Sequence, residues 1–352
     1  MAAAESRLRT FGDTGMDPQR TTEHERNAGL EQLLAELNGV LGGAENGMQQ
    51  LPTEPAQPII LVLAAPRSGT TLLMQWLAST GQVCYPSNLL SRFYAAPYLG
   101  ARIQQLIADP RFNFKDELAD AGTYTIPFTS LLGKTKGLLQ PNEFWYFWRR
   151  FIPNVHPEWI TPVQEAVIDA AGFRQGIAHI QHAFGKPFAA KGLILQYNLA
   201  ALHRILGKVL FVHIAREPWR VAHSLLRARL AYYGDEGAWY SAKPPEYLEL
   251  KKLDPAEQVA GQVICTQAAI ERQFAGLPDA RHLSVGFDAF RNDPAALYRR
   301  IGERIVAMGG TWDPQYTGPS NFEVREVPLE PQLEERLHRA CARFQGIAPQ
   351  LS

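Results

Sequence analysis

Residues Ile59 to Leu77 read IILVLAAPRSGTTLLMQWL. An unbroken apolar run ends at Pro66 and Gly69, and apolar residues then resume at helical spacing, so the stretch predicts a strand, a tight loop and a helix. A loop of glycine and hydroxyl side chains between a buried strand and a helix N-terminus aims backbone N–H groups and the positive end of the helix dipole at one point. That point suits an anion. The expected cradle comprises the N–H groups of Ser68 to Thr71, the hydroxyls of Ser68, Thr70 and Thr71, and the cation of Arg67, with Gly69 supplying the turn.

Working outward, PFAAKGLIL (Pro187 to Leu195) is a short candidate strand and LAALHRILG a helix. Val209 to Ala215 is mostly β-branched or aromatic, which favours a strand, and Arg216 stands at its carboxyl end. Pro218 suits the first turn of a helix through WRVAHSLLRARLAYY. HLSVGF is a further strand, and DPAALYRRIGERIVAMGG a helix stopped by a glycine pair. Strands alternating with helices predict an α/β fold, a three-layer sandwich with a central, mainly parallel sheet flanked by helices.

Upstream, the first 25 residues are polar and predict a disordered or loosely packed tail. Leu30, Leu33, Leu34, Leu37 and Leu41 recur at helical spacing and predict a helix. It is expected to pack on the domain; docking on a second copy is the alternative, which leaves a homo-oligomer open. Pro52, Pro55 and Pro58 mark a linker. The expected division is a tail, amphipathic helix and linker over 1–57, and a single α/β domain over 58–352.

The chain has 352 residues, 46% of them hydrophobic, enough for a sizeable core. Thirty-five basic and 35 acidic residues cancel, so no global field draws the protein to nucleic acid or an anionic membrane. Cys84, Cys265 and Cys341 are far apart and show no CxxC or Cys/His spacing; they read as buried thiols, not as a disulfide framework or zinc site. The N-terminus lacks the apolar core of a signal peptide, and no run approaches the roughly 18 apolar residues of a membrane span. A cytoplasmic protein is the expectation.

Loops that hold ATP or GTP read GxxxxGK[ST], the lysine reaching the terminal phosphates and the hydroxyl holding magnesium. Laid over AAPRSGTT, the first glycine falls on Ala64 and the lysine on Thr70. The cradle that remains suits a bridging phosphate better than a magnesium nucleotide. PRSGTTLL resembles the 5′-phosphosulfate loop of sulfotransferases that use 3′-phosphoadenosine 5′-phosphosulfate (PAPS). The second signature of that family is an arginine at a strand end with a serine eight positions on, together gripping the 3′-phosphate; REPWRVAHS supplies Arg216 and Ser224. The resemblance runs from about Ile59 to Met308 and is thin between Leu89 and Pro187. It implies a P-loop NTPase-like fold, PAPS as sulfuryl donor, a hydroxyl of a small molecule, lipid or carbohydrate as acceptor, and no metal. It also implies Lys191 beside the sulfonate. Phe287, in HLSVGFDAFRNDPAAL, stands where the family has a tyrosine and could stack on adenine or pack in the core.

Attack of a hydroxyl on sulfur needs a base. The family's cytosolic branch uses a histidine two residues after the strand lysine, a position held here by Leu193. Other branches use a glutamate, and Glu143 in LLQPNEFWYFWRRF is the candidate; the aromatic residues around it are expected to raise its pKa. The other reading of Glu143 is a helix-start carboxylate behind Asn142 as cap. His179 and His182 are the second choice of base, and His213 reads as a satisfied core histidine. The aromatic segments YPSNLLSRFYAAPYLG, NEFWYFWRRF and LAYYGDEGAWYSAKPPEY either line an acceptor site or build the core, and Arg149 with Arg150 would form a local basic patch for a polyanionic glycan. Two rivals remain: a nucleotide kinase or NTPase with a degenerate loop, and a non-catalytic nucleotide-binding protein of the same fold.

Overall fold

Four of the apolar runs pair side by side. In the computed structural model, which describes residues 18–112, 115, 126–324 and 328–345, they form one parallel sheet. Its strands are β1 (Ile59–Leu63), β2 (Phe188–Lys191), β3 (Val209–Ala215) and β4 (His282–Gly286), in the order β2-β1-β3-β4. The longer helices are α1 (Ala28–Asn46), α2 (Thr70–Ser79), α3 (Pro97–Ala108), α4 (Ala170–Phe184), α5 (Leu199–Leu206), α6 (Pro218–Tyr233), α7 (Pro255–Phe274), α8 (Pro294–Ala307) and α9 (Pro331–Gln345).

Side chains alternate across a strand, so a strand apolar at every position needs cover on both faces. Ile59, Leu61 and Leu63 of β1, with Phe188 and Phe211, pack under α4 and α5 against Phe173, Ile177, Leu199 and Leu202. Ile60 and Val62, with Val212 and Ile214, pack on the opposite side against Leu73, Trp76 and Leu77 of α2 and Leu297 and Ile301 of α8. The result is the three-layer α/β sandwich.

Because β1 has β2 on one side and β3 on the other, the chain leaves the sheet in opposite directions at its middle. Open parallel sheets bind ligands at this kind of switch point, outside the carboxyl ends of the strands. The register places Lys191 beside Val62, His213 beside Leu63 and Gly286 beside Ala215. The loop after β1, the end of β2, Arg216 after β3 and Phe287 after β4 therefore share one edge.

The leucine-patterned helix packs on this same body. Leu34 is buried in the core below β1, and Asn38 donates to the Arg92 carbonyl while accepting from the Ala95 N–H. Glu45 accepts from the N–H groups of Tyr98 and Leu99 in the first turn of α3, and its Oε1 lies 2.6 Å from Nδ1 of buried His179. Leu33 and Leu37 remain exposed. Of the expected loose tail, residues 1–17 lie outside the described residues; Thr21 is tied to the main chain of Ala231 and Tyr232 at the end of α6. Deleting residues 1–57 strips His179 and two helix-start amides of their acceptor and is expected to lower the melting temperature by roughly 5 °C or more. An unchanged melting curve would contradict it. Among the described residues no helix is long and apolar enough to cross a membrane, and all three cysteines are buried and free.

Candidate active site

The loop between β1 and α2 is bent by two residues with left-handed backbones, Arg67 at φ 75° and Gly69 at φ 100°. The Ser68 N–H closes a turn onto the Ala65 carbonyl at 3.2 Å, and Leu73 N–H donates to the Gly69 carbonyl at 3.1 Å as α2 begins. The amide of Ser68 is thus engaged within the loop. The amides of Gly69, Thr70 and Thr71 lie ahead of the first intrahelical bond, where helix geometry offers them no acceptor. Ser68 is fully buried and its Oγ has no partner among the described residues. An orphaned hydroxyl beside helix-start amides fits a bound anionic oxygen.

Gly69 is required twice over. Its backbone is one that L side chains rarely adopt, and a Cβ there would stand 2.4 Å from the Phe287 ring. Gly69→Ala is expected to destabilise the protein by roughly 3 kcal/mol or more, the sum of left-handed backbone strain and a clash inside the core. Calorimetric melting tests this, and wild-type stability in the variant would refute it.

Lys191 ends β2 and points its ammonium into the loop. Its side chain is 2% exposed, and Nζ donates to Thr71 Oγ1 at 2.8 Å and lies 3.5 Å from Glu143 Oε1. Burial pushes the pKa of Lys191 down, and Glu143 opposes this without cancelling it. For Glu143 burial pushes the carboxyl up, but the charges of Lys191 and Lys134 and the hydrogen bond from Trp145 outweigh it and hold the group below the usual carboxylate range. The expected apolar-wall effect is therefore reversed: Phe144, Phe147 and Trp148 turn into the core, while Trp145 donates its indole N–H to Glu143 Oε2 at 2.6 Å. Nor is Glu143 a helix-start carboxylate. Asn142 accepts from the Phe144 N–H, and the single turn Trp145–Trp148 begins only after Phe144, whose φ is 57°.

At the other end of the loop, Arg67 Nε donates to Ser224 Oγ at 3.1 Å, joining the first motif to the second. Arg216 lies with its guanidinium carbon 4.6 Å from the centre of the Phe287 ring. Phe287 is 4% exposed, with Gly69 on one side and Arg216 over its face, so it sits beneath the site as a wedge between the two motifs. Arg216, Arg220 and Arg291 converge with Phe287, Asp288 and Val324 on a cavity of about 160 Å³. Asp288 neutralises one of these cations through an ion pair with Arg291 at 2.9 Å.

Further groups enter the site that the motif spacing does not mark. The turn Leu131–Lys134, with Leu132 and Gly133 at positive φ, folds over the loop: Thr71 Oγ1 lies 3.4 Å from the Gly133 carbonyl, and a Cβ on Gly133 would stand 2.8 Å from Arg67 Nη1. Gln75 of α2 holds this strap by donating to the carbonyls of Pro127 and Thr129. Other expectations are corrected. His179 is consumed by Glu45, and exposed His182 lies against Tyr98 on the outer surface. His213 is buried but not satisfied: neither ring nitrogen has a partner among the described residues, and burial lowers its pKa to about 4, which keeps it neutral. Arg149 and Arg150 form no surface patch. Arg149 is buried against Glu158, and Arg150 donates to the Tyr94 carbonyl while lying over Phe151.

The family model described as "Sulfotransferase family" matches residues 58–308. Among solved structures the chain is similar to sulfotransferase STF9 from Mycobacterium avium, at 15% identity and a TM-score of 0.50, over 94% of this chain and 79% of that one. It is also similar to sulfotransferase STF1 from Mycobacterium tuberculosis H37Rv, at 14% identity and a TM-score of 0.48, over 98% of this chain and 92% of that one. No curated protein matched. The family match takes in β1 to β4 and every site residue named above except Val324, and on that ground the chain belongs to the sulfotransferase family of enzymes.

Proposed function

We propose that this sulfotransferase takes its sulfuryl group from PAPS and passes it to a hydroxyl of a small-molecule, lipid or carbohydrate acceptor by in-line displacement. The observation that carries the reading is the convergence at one sheet edge of a cationic loop, a buried Lys191–Glu143 pair and an arginine-lined cavity. PAPS supplies a sulfuryl group already activated by its phosphate ester, so the chain needs to bind, orient and move one proton. Arg67, the Ser68 hydroxyl and the amides of Gly69 to Thr71 hold the 5′ end. Arg216 and Ser224 hold the 3′-phosphate, and the link between Arg67 and Ser224 ties the two grips together.

Glu143 takes the proton of the acceptor hydroxyl as its oxygen bonds to sulfur and the bond from sulfur to the bridging oxygen breaks. Lys191 and Arg67 stabilise the negative charge left on the phosphate. A carboxylate held ionised by Lys191 and Lys134 is ready to accept that proton throughout the neutral range.

Calorimetric titration with 3′-phosphoadenosine 5′-phosphate (PAP), the desulfonated product, against ATP with magnesium tests the donor. Binding of PAP without metal, with ATP at least about tenfold weaker, is expected from a loop that lacks the phosphate-reaching lysine. Tight binding of magnesium ATP with none of PAP would favour a kinase or NTPase instead.

A further inference from the structure

Glu143 is held by two indoles from one helical turn. Trp148, 1% exposed, donates its Nε1–H to the Glu143 backbone carbonyl at 2.9 Å, and Trp145 donates to the carboxylate at 2.6 Å. Trp148 is fixed by the core, with Phe144, Phe147 and Phe173 around it in edge-on contact. Trp145 is only half-buried, packed at the margin of that core, and has a second support. The guanidinium carbon of Arg149 lies 5.8 Å from the Trp145 ring centre, and Arg149 is itself locked: Nη1 donates to the Pro153 carbonyl at 2.8 Å and Nη2 to Glu158 Oε1 at 3.1 Å. The two charged side chains are 7% and 5% exposed.

Glu158 is fixed in turn by main chain from two other segments. Its N–H donates to the Lys243 carbonyl at 3.2 Å, and its own carbonyl accepts from Asn198 Nδ2 at 2.9 Å. Taking two charges out of water is costly, and a buried ion pair is seldom the most stable filling for such a space. What it provides is a cation of fixed orientation. Here that cation lies over the ring whose N–H reaches the carboxylate.

We propose that Trp145 is a positioning residue for Glu143 and that the buried Arg149–Glu158 pair acts through it, holding the indole where its N–H aims the carboxylate at the acceptor. This rests on the reading of Glu143 as the base. Trp145 occupies one lone pair of Oε2 and Lys191 faces one of Oε1, which leaves each oxygen of the carboxylate with acceptor capacity for the hydrogen of an acceptor hydroxyl. Lys134 of the strap, Arg67 of the loop and Tyr240 of the segment after α6 also act on Glu143 electrostatically.

The test uses full-length protein labelled with ¹⁵N-tryptophan, whose seven indole resonances can be resolved, Trp145 being assigned by its loss in Trp145→Phe. The Trp145 indole signal is expected downfield and should titrate with Glu143, a step that disappears in Glu143→Gln. In Arg149→Met/Glu158→Leu, which removes the cation over the ring together with its hydrogen-bond partner and so leaves neither group buried alone, the signal should move upfield and the midpoint of the step rise by roughly 0.5–1 pH unit. PAP release from PAPS, with water as the acceptor, should fall about tenfold in the same variant at an unchanged KM for PAPS. An indole signal and midpoint identical to wild type would overturn the proposal, even if the variant melts lower. If the step persists in Glu143→Gln, the carboxylate it reports is a different one and the proposal fails outright. If instead the indole reports as expected but Glu143→Gln releases PAP at the wild-type rate, positioning of the carboxylate stands and it is the base assignment that falls.

Discussion

Glu143→Gln is expected to slow sulfuryl transfer by about 10²- to 10⁴-fold while changing PAP affinity by no more than about threefold. Glutamine keeps the shape of the side chain and can still accept from Trp145, so the loss isolates the proton acceptor. Glu143→Asp, which retains a carboxylate on a shorter stem, should recover part of the rate. The pH dependence carries its own sign. Lys191 and Lys134 hold the ionised form of Glu143 favourable, so kcat/KM should stay flat down through neutral pH and fall only as the pH drops below the ordinary carboxylate range. A base with a raised pKa would lose activity already near neutrality. Single-turnover measurements of PAP formation across pH distinguish the two, and a full rate in Glu143→Gln would remove Glu143 from the chemistry.

The same electrostatics bear on stability. A carboxyl whose folded pKa is depressed contributes stability above its unfolded pKa and loses it as the pH falls through the folded value. Glu158 works in the opposite direction. Burial raises its pKa to about 7, against the pull of Arg149, so between the ordinary carboxylate range and pH 7 the folded state binds the extra proton and stability from this group declines as pH rises. Glu158→Gln should therefore flatten the slope of melting temperature against pH in that interval. Its slope would persist if another group were responsible.

The sheet is legible in the sequence because its determinants are local. Val209 to Ala215 is a run of apolar and β-branched residues that can only be buried, and PRSGTT breaks a similar run where a strand must end. Both motifs follow from residues within a dozen positions of each other. The surroundings of Glu143 depend on contacts that no local pattern encodes. Its pKa is set by Lys191, which arrives on β2, and by Lys134, which arrives on a strap closed by two left-handed residues. WYFW gives no sign of which of its rings faces out; the left-handed backbone of Phe144 decides that Trp145 turns to the carboxylate and Phe147 and Trp148 to the core. Arg149 and Arg150 mislead because no local pattern marks their partners, Glu158 after the intervening turn and the Tyr94 carbonyl far upstream. The helices α3, α4, α7 and α9 fall where motif spacing is silent; α3, α4 and α7 pack into the core beside the sheet and α9 packs on α6 and α7, none of them contributing a site residue.

Arg216→Ala is expected to weaken PAP binding by about 100-fold, while adenosine 5′-phosphate, which lacks the 3′-phosphate, should lose no more than about threefold. The difference is the prediction. A guanidinium offers a phosphate dianion paired, charge-assisted hydrogen bonds that a ribose hydroxyl does not draw on to the same extent. Arg216 already lies over Phe287, so its orientation is fixed before the ligand arrives and little conformational entropy is lost on binding. Arg220 and Arg291 remain on the same cavity, which sets a floor under the loss and makes it shrink as ionic strength rises. Removing the guanidinium also uncovers the Phe287 ring, so part of any effect could pass through the wedge to Gly69 and the 5′ loop. That indirect part would weaken both nucleotides alike, whereas direct recognition falls on PAP alone. Titration of both ligands into wild type and variant separates the two terms, and equal losses would mean that Arg216 shapes the loop and does not grip the 3′-phosphate.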